Sequence, residues 1–159
     1  MSCRFYDLHP EEIKGLLKIF LHKKCYELLQ YEAELSNHDL AGMDQGRLYN
    51  HIEAVCLLNV DKCIVAHDLN EIIGVLISHK DNPTQISVLY VNEGHRRSKI
   101  GHKLVRRFIN MHPRQPISVE CLAVNLKAQA FYQSLRFVFS PERVKERNIR
   151  GVFQNEKGS

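Results

Sequence analysis

In the first third of the chain apolar positions recur every three or four residues, and from residue 62 onward they also come in short unbroken runs. Residues 5–8 predict a brief first strand. His9-Pro10-Glu11-Glu12 reads as a helix start, with proline early and acids in the first turn. Ile13, Leu16, Leu17, Phe20 and Leu21 then keep helical spacing past Leu28 and Leu29, until Ser36-Asn37-His38-Asp39 breaks the pattern. A polar, glycine-containing stretch over 36–46 follows, and Leu48, Ile52 and Val55 predict a second helix.

The apolar runs at 62–67 and 71–78, joined by Asp68-Leu69-Asn70, predict a β-hairpin. A third strand is expected over 84–91, after the turn at Asp81-Asn82-Pro83. From Ile100 the period returns to that of a helix: Ile100, Leu104, Phe108 and Met111 lie on one face and Lys103, Arg106, Arg107 and Asn110 on the other. Pro113 and Pro116 end it. A strand over 117–122, a helix over 125–135 and a strand over 137–139 come next. The charged stretch 144–150 reads as loop, and 151–153 as a last strand. The order, β-helix-helix, then an antiparallel meander, then β-α-β-α-β, predicts a mixed α/β sheet in one domain over residues 1–159.

Composition narrows the setting. A chain of 159 residues with 44% hydrophobic content can bury a full core. No apolar run approaches the roughly 18 residues needed to cross a bilayer, and the opening Met-Ser-Cys-Arg-Phe-Tyr-Asp has no secretion-signal pattern. Cys3, Cys25, Cys56, Cys63 and Cys121 are odd in number and lack C-x-x-C spacing, which favours free thiols in a reducing, cytoplasmic setting and no metal site. The net charge of +4 is unevenly spread: between Glu93 and Glu120 there is no acid, while Arg96, Arg97, Lys99, Lys103, Arg106, Arg107 and Arg114 all fall there. An anionic ligand or a nucleic acid would suit that segment, and so would a solvated helix face.

The place where the cations gather is informative. A strand ending at Val91, a short basic loop and a helix from Ile100 bring unpaired backbone N–H groups to one point, which makes an anion site. Arg96, Arg97 and Lys99 would add charge at its rim, and Gly101 would let backbone approach closely. An ordinary strand-to-helix connection with exposed cations fits the same residues. Neither G-x-x-x-x-G-K-[ST] nor G-x-G-x-x-G is present.

With these residues the chain resembles the GNAT superfamily of acetyl-CoA-dependent N-acetyltransferases. Their pyrophosphate loop, Q/R-x-x-G-x-G/A, is matched at its ends by Arg96-Arg97-Ser98-Lys99-Ile100-Gly101, with Lys99 replacing the first glycine. Their later pattern, a strand L-E-V followed by N-x-x-A-x-x-x-Y-x-x-x-G-F, is matched by Val119-Glu120-Cys121 and then Asn125, Ala128, Tyr132 and Phe137, with Arg136 replacing the glycine. The run Ile-Ile-Gly-Val-Leu-Ile around Gly74 is similar to the family's third strand. The resemblance implies a mostly antiparallel mixed sheet flanked by about four helices and splayed between the strands ending near Val91 and Leu122.

It also implies a site. Leu89, Tyr90 and Val91 would present backbone groups to the pantetheine and acetyl carbonyl of acetyl-CoA. The N–H groups from Arg97 through Ser98, Lys99, Ile100 and Gly101 to His102 would hold the pyrophosphate, with Arg96 beside them. Asn125 would contact the pantetheine arm, and Tyr132 would lie near the sulfur. The pattern is nearest to the ribosomal-protein-alanine, protein N-terminal type, in which Glu120 stands at the general base and Tyr132 at the general acid. No metal is implied. The acceptor would be an amine of a protein, a peptide or a small molecule, with no membrane partner and the oligomeric state open. Two other readings remain: a catalytically weak domain that binds coenzyme A or a protein partner, and an RNA-directed enzyme acting on aminoacyl-tRNA through the basic helix. Cys121 reads as a buried core thiol. His95 and His102 flank the loop and read as surface histidines, with phosphate or proton handling as the alternative, and His38, Asp39, Asp44 and Tyr49 read as loop surface or acceptor-pocket residues.

Overall fold

A computed structural model describes residues 3–8, 58–68, 71–92, 99–145 and 147–155. The two helices and the polar stretch expected before residue 58 lie outside the described residues, as do His95, Arg96, Arg97 and Ser98.

Eight strands and two helices are described. The first four-stranded sheet is antiparallel throughout, in the order β1 (Cys3–Asp7), β2 (Val60–Asp68), β3 (Glu71–His79), β5 (Val88–Val91). The β2–β3 hairpin is the one the two apolar runs predict. Ile64, Val65 and Ala66 on β2 and Ile73 to Ile77 on β3 are buried, so these strands read as continuous apolar blocks instead of alternating ones.

The second sheet runs β4 (Gln85–Ile86), β6 (Ile117–Leu122), β8 (Asn148–Phe153), β7 (Val138–Val144). Here the structure corrects the strand expected over 84–91. It breaks at Ser87 into two pieces that belong to different sheets. β4 pairs parallel with β6, through Gln85 with Ser118 and Ile86 with Val119, while among the described residues β5 pairs with β3. A second correction concerns 144–150. That stretch is the turn of a hairpin and the first half of β8, which lies between β6 and the edge strand β7. β7 is mostly solvent-exposed, so its charged residues sit on a pleated surface without any apolar alternation to reveal them.

Helix α1 (Ile100–Met111) and helix α2 (Leu126–Ser134) cover the sheets. Leu104, Val105 and Phe108 are fully buried against β2, β3 and β5. Burial of such side chains is worth roughly 1.5–3 kcal/mol each, which fixes where the N-terminus of α1 points. The opposite, basic face is as the sequence predicts, with Arg107 bonded to Asp7 of β1 at 3.1 Å across the surface.

The replacement of the family's helix-end glycine by Arg136 has a backbone cost. α2 ends with the Phe137 N–H bonded to the Tyr132 carbonyl and the Arg136 N–H to that of Gln133, the paired bonds of a Schellman turn. Arg136 takes φ 73°, the left-handed conformation that glycine adopts freely. Arg136→Gly will therefore stabilise the fold by about 0.5–1 kcal/mol, raising Tm by about 1–4 °C in thermal melting.

Gly151 on β8 shows the opposite constraint. It faces Phe139 across the β7–β8 pair, and a methyl group there would lie 2.6–2.9 Å from three ring carbons. Gly151→Ala will cost about 1–3 kcal/mol in denaturant unfolding, and pairing it with Phe139→Ala will recover part of that loss.

Candidate active site

The break at Ser87 creates the site. Up to Ile86 the chain is held against β6. Ser87 then donates its backbone N–H to the Ile77 carbonyl at 2.8 Å, which turns the chain onto β3. From that point β5 follows β3 while β6 continues in the second sheet, so a gap between the two sheets has Leu89, Tyr90 and Val91 on the strand of one and Glu120, Cys121 and Leu122 on the strand of the other.

At the wide end stands the start of α1. Lys99 is its N-cap at φ 62°, no side chain caps the first turn, and no acid lies in it. The first in-helix bond runs from the Lys103 N–H to the Lys99 carbonyl, so the N–H groups of Ile100, Gly101 and His102 precede the helix's own bonding. The donors and the helix dipole favour an anion there. Lys99, which replaces a family glycine, keeps the left-handed backbone and adds a cation.

Two of the expected loop residues have more specific roles. Gly101 is buried, and a methyl group on it would lie 3.1–3.2 Å from the Phe131 ring of α2 and 3.7 Å from Val91. Its missing side chain thus lets α1, α2 and the end of β5 meet. His102 contributes backbone to the first turn, but its ring turns towards α2, with Nε2 3.2 Å from Ser134 Oγ and an edge contact to Phe131. Burial, then the charges of Lys99 and Arg106, lower its pKa below the ordinary histidine value.

Asn125 caps α2: its Oδ1 accepts from the Ala128 N–H at 3.1 Å. That bond commits the side-chain oxygen to the helix and leaves the amide nitrogen as the group for any pantetheine contact. Cys121 is buried in the core, as expected, and is in no disulfide.

Glu120 and Tyr132 approach the gap from opposite faces. β6 alternates strictly, with Ile117, Val119 and Cys121 turned to the core beneath the helices and Ser118, Glu120 and Leu122 turned the other way. Tyr132 packs on the core side, edge-on to Phe131 and Phe137 at 5.0 and 5.3 Å between centroids. Complete burial, and secondarily the Cys121 thiol nearby, push its hydroxyl well above the usual tyrosine range, so it stays protonated.

Glu120 is on the other face, with its side chain only 12% exposed. Arg150, directly opposite it on β8, donates from Nη2 to Oε1 at 3.0 Å, and the Lys145 ammonium lies 3.7 Å from Oε2. Sequence reasoning missed both partners because 144–150 reads as loop. The alternation Asn148-Ile149-Arg150-Gly151-Val152 is the signal that would have placed Arg150 on the same face as a neighbouring strand's acid.

Glu120 opens into a polar cleft of about 550 Å³ that also touches Ser87 at the break, Gln85, His79, Asp81 and Lys145. Among the described residues no group of three or more His, Cys, Asp or Glu side chains is placed to hold a metal. No described helix is long and apolar enough to cross a membrane.

The chain matches the family described as "Acetyltransferase (GNAT) domain" over residues 47–153, and it belongs to that family. A curated protein of Mycobacterium tuberculosis named "Probable N-acetyltransferase" is 38% identical over 64 residues, which is 40% of this chain and 36% of that protein's length.

Solved structures give the same fold at lower identity. An acetyltransferase from Thermus thermophilus is 16% identical, with 97% of each chain covered and a TM-score of 0.66. A GNAT-family acetyltransferase from Staphylococcus aureus is 20% identical, with 98% of this chain and all of that one covered and a TM-score of 0.62. YncA of Salmonella typhimurium, solved with its cofactor acetyl-CoA, is 13% identical over all of this chain and 97% of that one, with a TM-score of 0.56.

Proposed function

We propose that this domain is an acetyl-CoA-dependent N-acetyltransferase that passes an acetyl group to a primary amine of a protein, peptide or small molecule by direct attack in a ternary complex. The observation that carries the reading is the placement of Glu120 and Tyr132 on opposite faces of one diverging strand. A thioester lying in the gap could then be served from both sides.

The roles follow from the chemistry. Acetyl transfer needs a neutral amine, donors for the developing oxyanion and a hydrogen-bond donor for the departing thiolate. The N–H groups at the start of α1, with Lys99, hold the pyrophosphate. The backbone of β5 at Leu89, Tyr90 and Val91 aligns the pantetheine and the acetyl carbonyl. Glu120, oriented by Arg150, takes the proton from the amine on the cleft side, and Tyr132 donates its O–H to the sulfur from the core side. Cys121 needs no part in this, since attack by the amine forms no acyl-enzyme.

The test is thiol release from acetyl-CoA across a panel of a polyamine, an aminoglycoside, a peptide α-amine and a lysine peptide. Release with at least one amine, and initial-rate lines that intersect when both substrates are varied, support transfer in a ternary complex. Parallel lines point instead to an acetylated enzyme. Binding of acetyl-CoA without thiol release from any of the amines points to a non-catalytic domain.

A further inference from the structure

Glu120 has two oxygens and two different partners. Arg150 takes Oε1 at 3.0 Å from the facing position on β8, a geometry fixed by strand register. Oε2 faces the ammonium of Lys145, 3.7 Å away. Lys145 does not come from a strand. It sits in the β7–β8 turn with a left-handed backbone, φ 51°, and its side chain is 78% exposed at the edge of the cleft it lines. The group beside the proposed base is therefore a primary alkylammonium, the same chemical group that the base is proposed to deprotonate, lining the same cleft as Ser87 at the apex of the gap.

We propose that Lys145 is an acceptor of the domain's own reaction, an intramolecular acetylation site. The inference rests on the acetyltransferase reading above. In the step, the Lys145 ammonium gives a proton to Glu120 Oε2, and the neutral Nζ attacks the thioester carbonyl of acetyl-CoA. The N–C bond forms and the C–S bond breaks. The thiolate leaves, held by a hydrogen bond from Tyr132, and takes a proton from water, while Glu120 returns its proton to water and the second proton on nitrogen also passes to water as the amide forms. Lysine and acetyl-CoA become acetyl-lysine, coenzyme A and one proton.

Holding the amine beside the base matters because only about 0.1% of an ordinary lysine is neutral near pH 7.4, and because an intramolecular amine replaces a bimolecular encounter. The product amide carries no charge, so Oε2 loses its resident cation and becomes available to an external amine. Acetylation of Lys145 would therefore convert the cleft from self-occupied to open.

The experiment incubates the full chain with acetyl-CoA and no added amine, and follows acetyl incorporation by intact-protein and peptide mass spectrometry. The expected result is one acetyl group on Lys145, gained roughly tenfold or more faster than on the exposed Lys103 and Lys127, at a rate unchanged on dilution. Lys145→Arg should abolish this fast phase, and Glu120→Gln should slow it. Equal labelling of Lys103, Lys127 and Lys145 would mean uncatalysed chemistry and overturn the proposal. So would an unmodified Lys145 in protein that still binds acetyl-CoA and still acetylates an added amine, a result that leaves the acetyltransferase reading standing. No binding of acetyl-CoA at all would remove both.

Discussion

Glu120→Gln is expected to lower turnover of a lysine-type acceptor by about 10²–10⁴-fold while leaving acetyl-CoA binding unchanged. The amide keeps the shape of the carboxylate, and its oxygen can still accept from Arg150, which is itself 46% exposed and readily solvated. The fold therefore survives, and the lost function is proton removal. The effect should depend on the acceptor. At pH 7.4 an α-amine of pKa about 7.8 is roughly a quarter neutral, whereas a lysine amine is about 0.1% neutral, so the α-amine relies less on a base. Initial rates with the two amines, alongside melting curves with and without acetyl-CoA, separate these effects. An unchanged rate with the lysine acceptor would remove Glu120 from the chemistry.

Tyr132→Phe is the second large effect, expected at about 10²-fold in kcat with little change in stability or in acetyl-CoA binding. The ring contacts with Phe131 and Phe137 do not need the hydroxyl, so the core keeps its packing. The pH profile sharpens the expectation. Because burial raises the hydroxyl's pKa above its ordinary value of 10.0, the protonated form persists through the neutral and mildly alkaline range, and Tyr132 should impose no loss of activity there. Measuring kcat from pH 6 to pH 9 in the wild type and the variant checks this: the two profiles should run parallel, offset by the lost donor. A kcat equal to that of the wild type would show that Tyr132 only fills the core.

Much of the architecture was legible because its signals are local. The β2–β3 hairpin, α1 with its basic face, β6 and the position of α2 follow from apolar period and from the turn residues between them. The break at Ser87 was not legible from periodicity. Thr84 to Val91 is a single β-favouring stretch, and the decision to change sheets lies in long-range bonds to Ile77 and Ser118, which no local window contains. The splay entered only through the family resemblance.

The site divides in the same way. The spacing of Glu120, Asn125 and Tyr132 gave their positions but not their surroundings. That Arg150 and Lys145 take the two oxygens of Glu120 depends on the register between β6 and β8 and on a tight turn in a charged, exposed hairpin, where alternation carries little signal. The resemblance placed Asn125 and the backbone of His102 at the ligand; to this the structure adds that Asn125 Oδ1 accepts from the Ala128 N–H and that the His102 ring lies against Ser134.

The central claim is that the gap opened at Ser87, with the helix start at Lys99, holds acetyl-CoA. Thermal melting with and without acetyl-CoA tests it most directly. At a concentration one hundred times Kd, ligand linkage supplies about 2.7 kcal/mol, a rise in Tm of roughly 5–10 °C for a domain of this size. A rise of that order that saturates with acetyl-CoA is the predicted result, and an unchanged Tm at millimolar acetyl-CoA would contradict the claim.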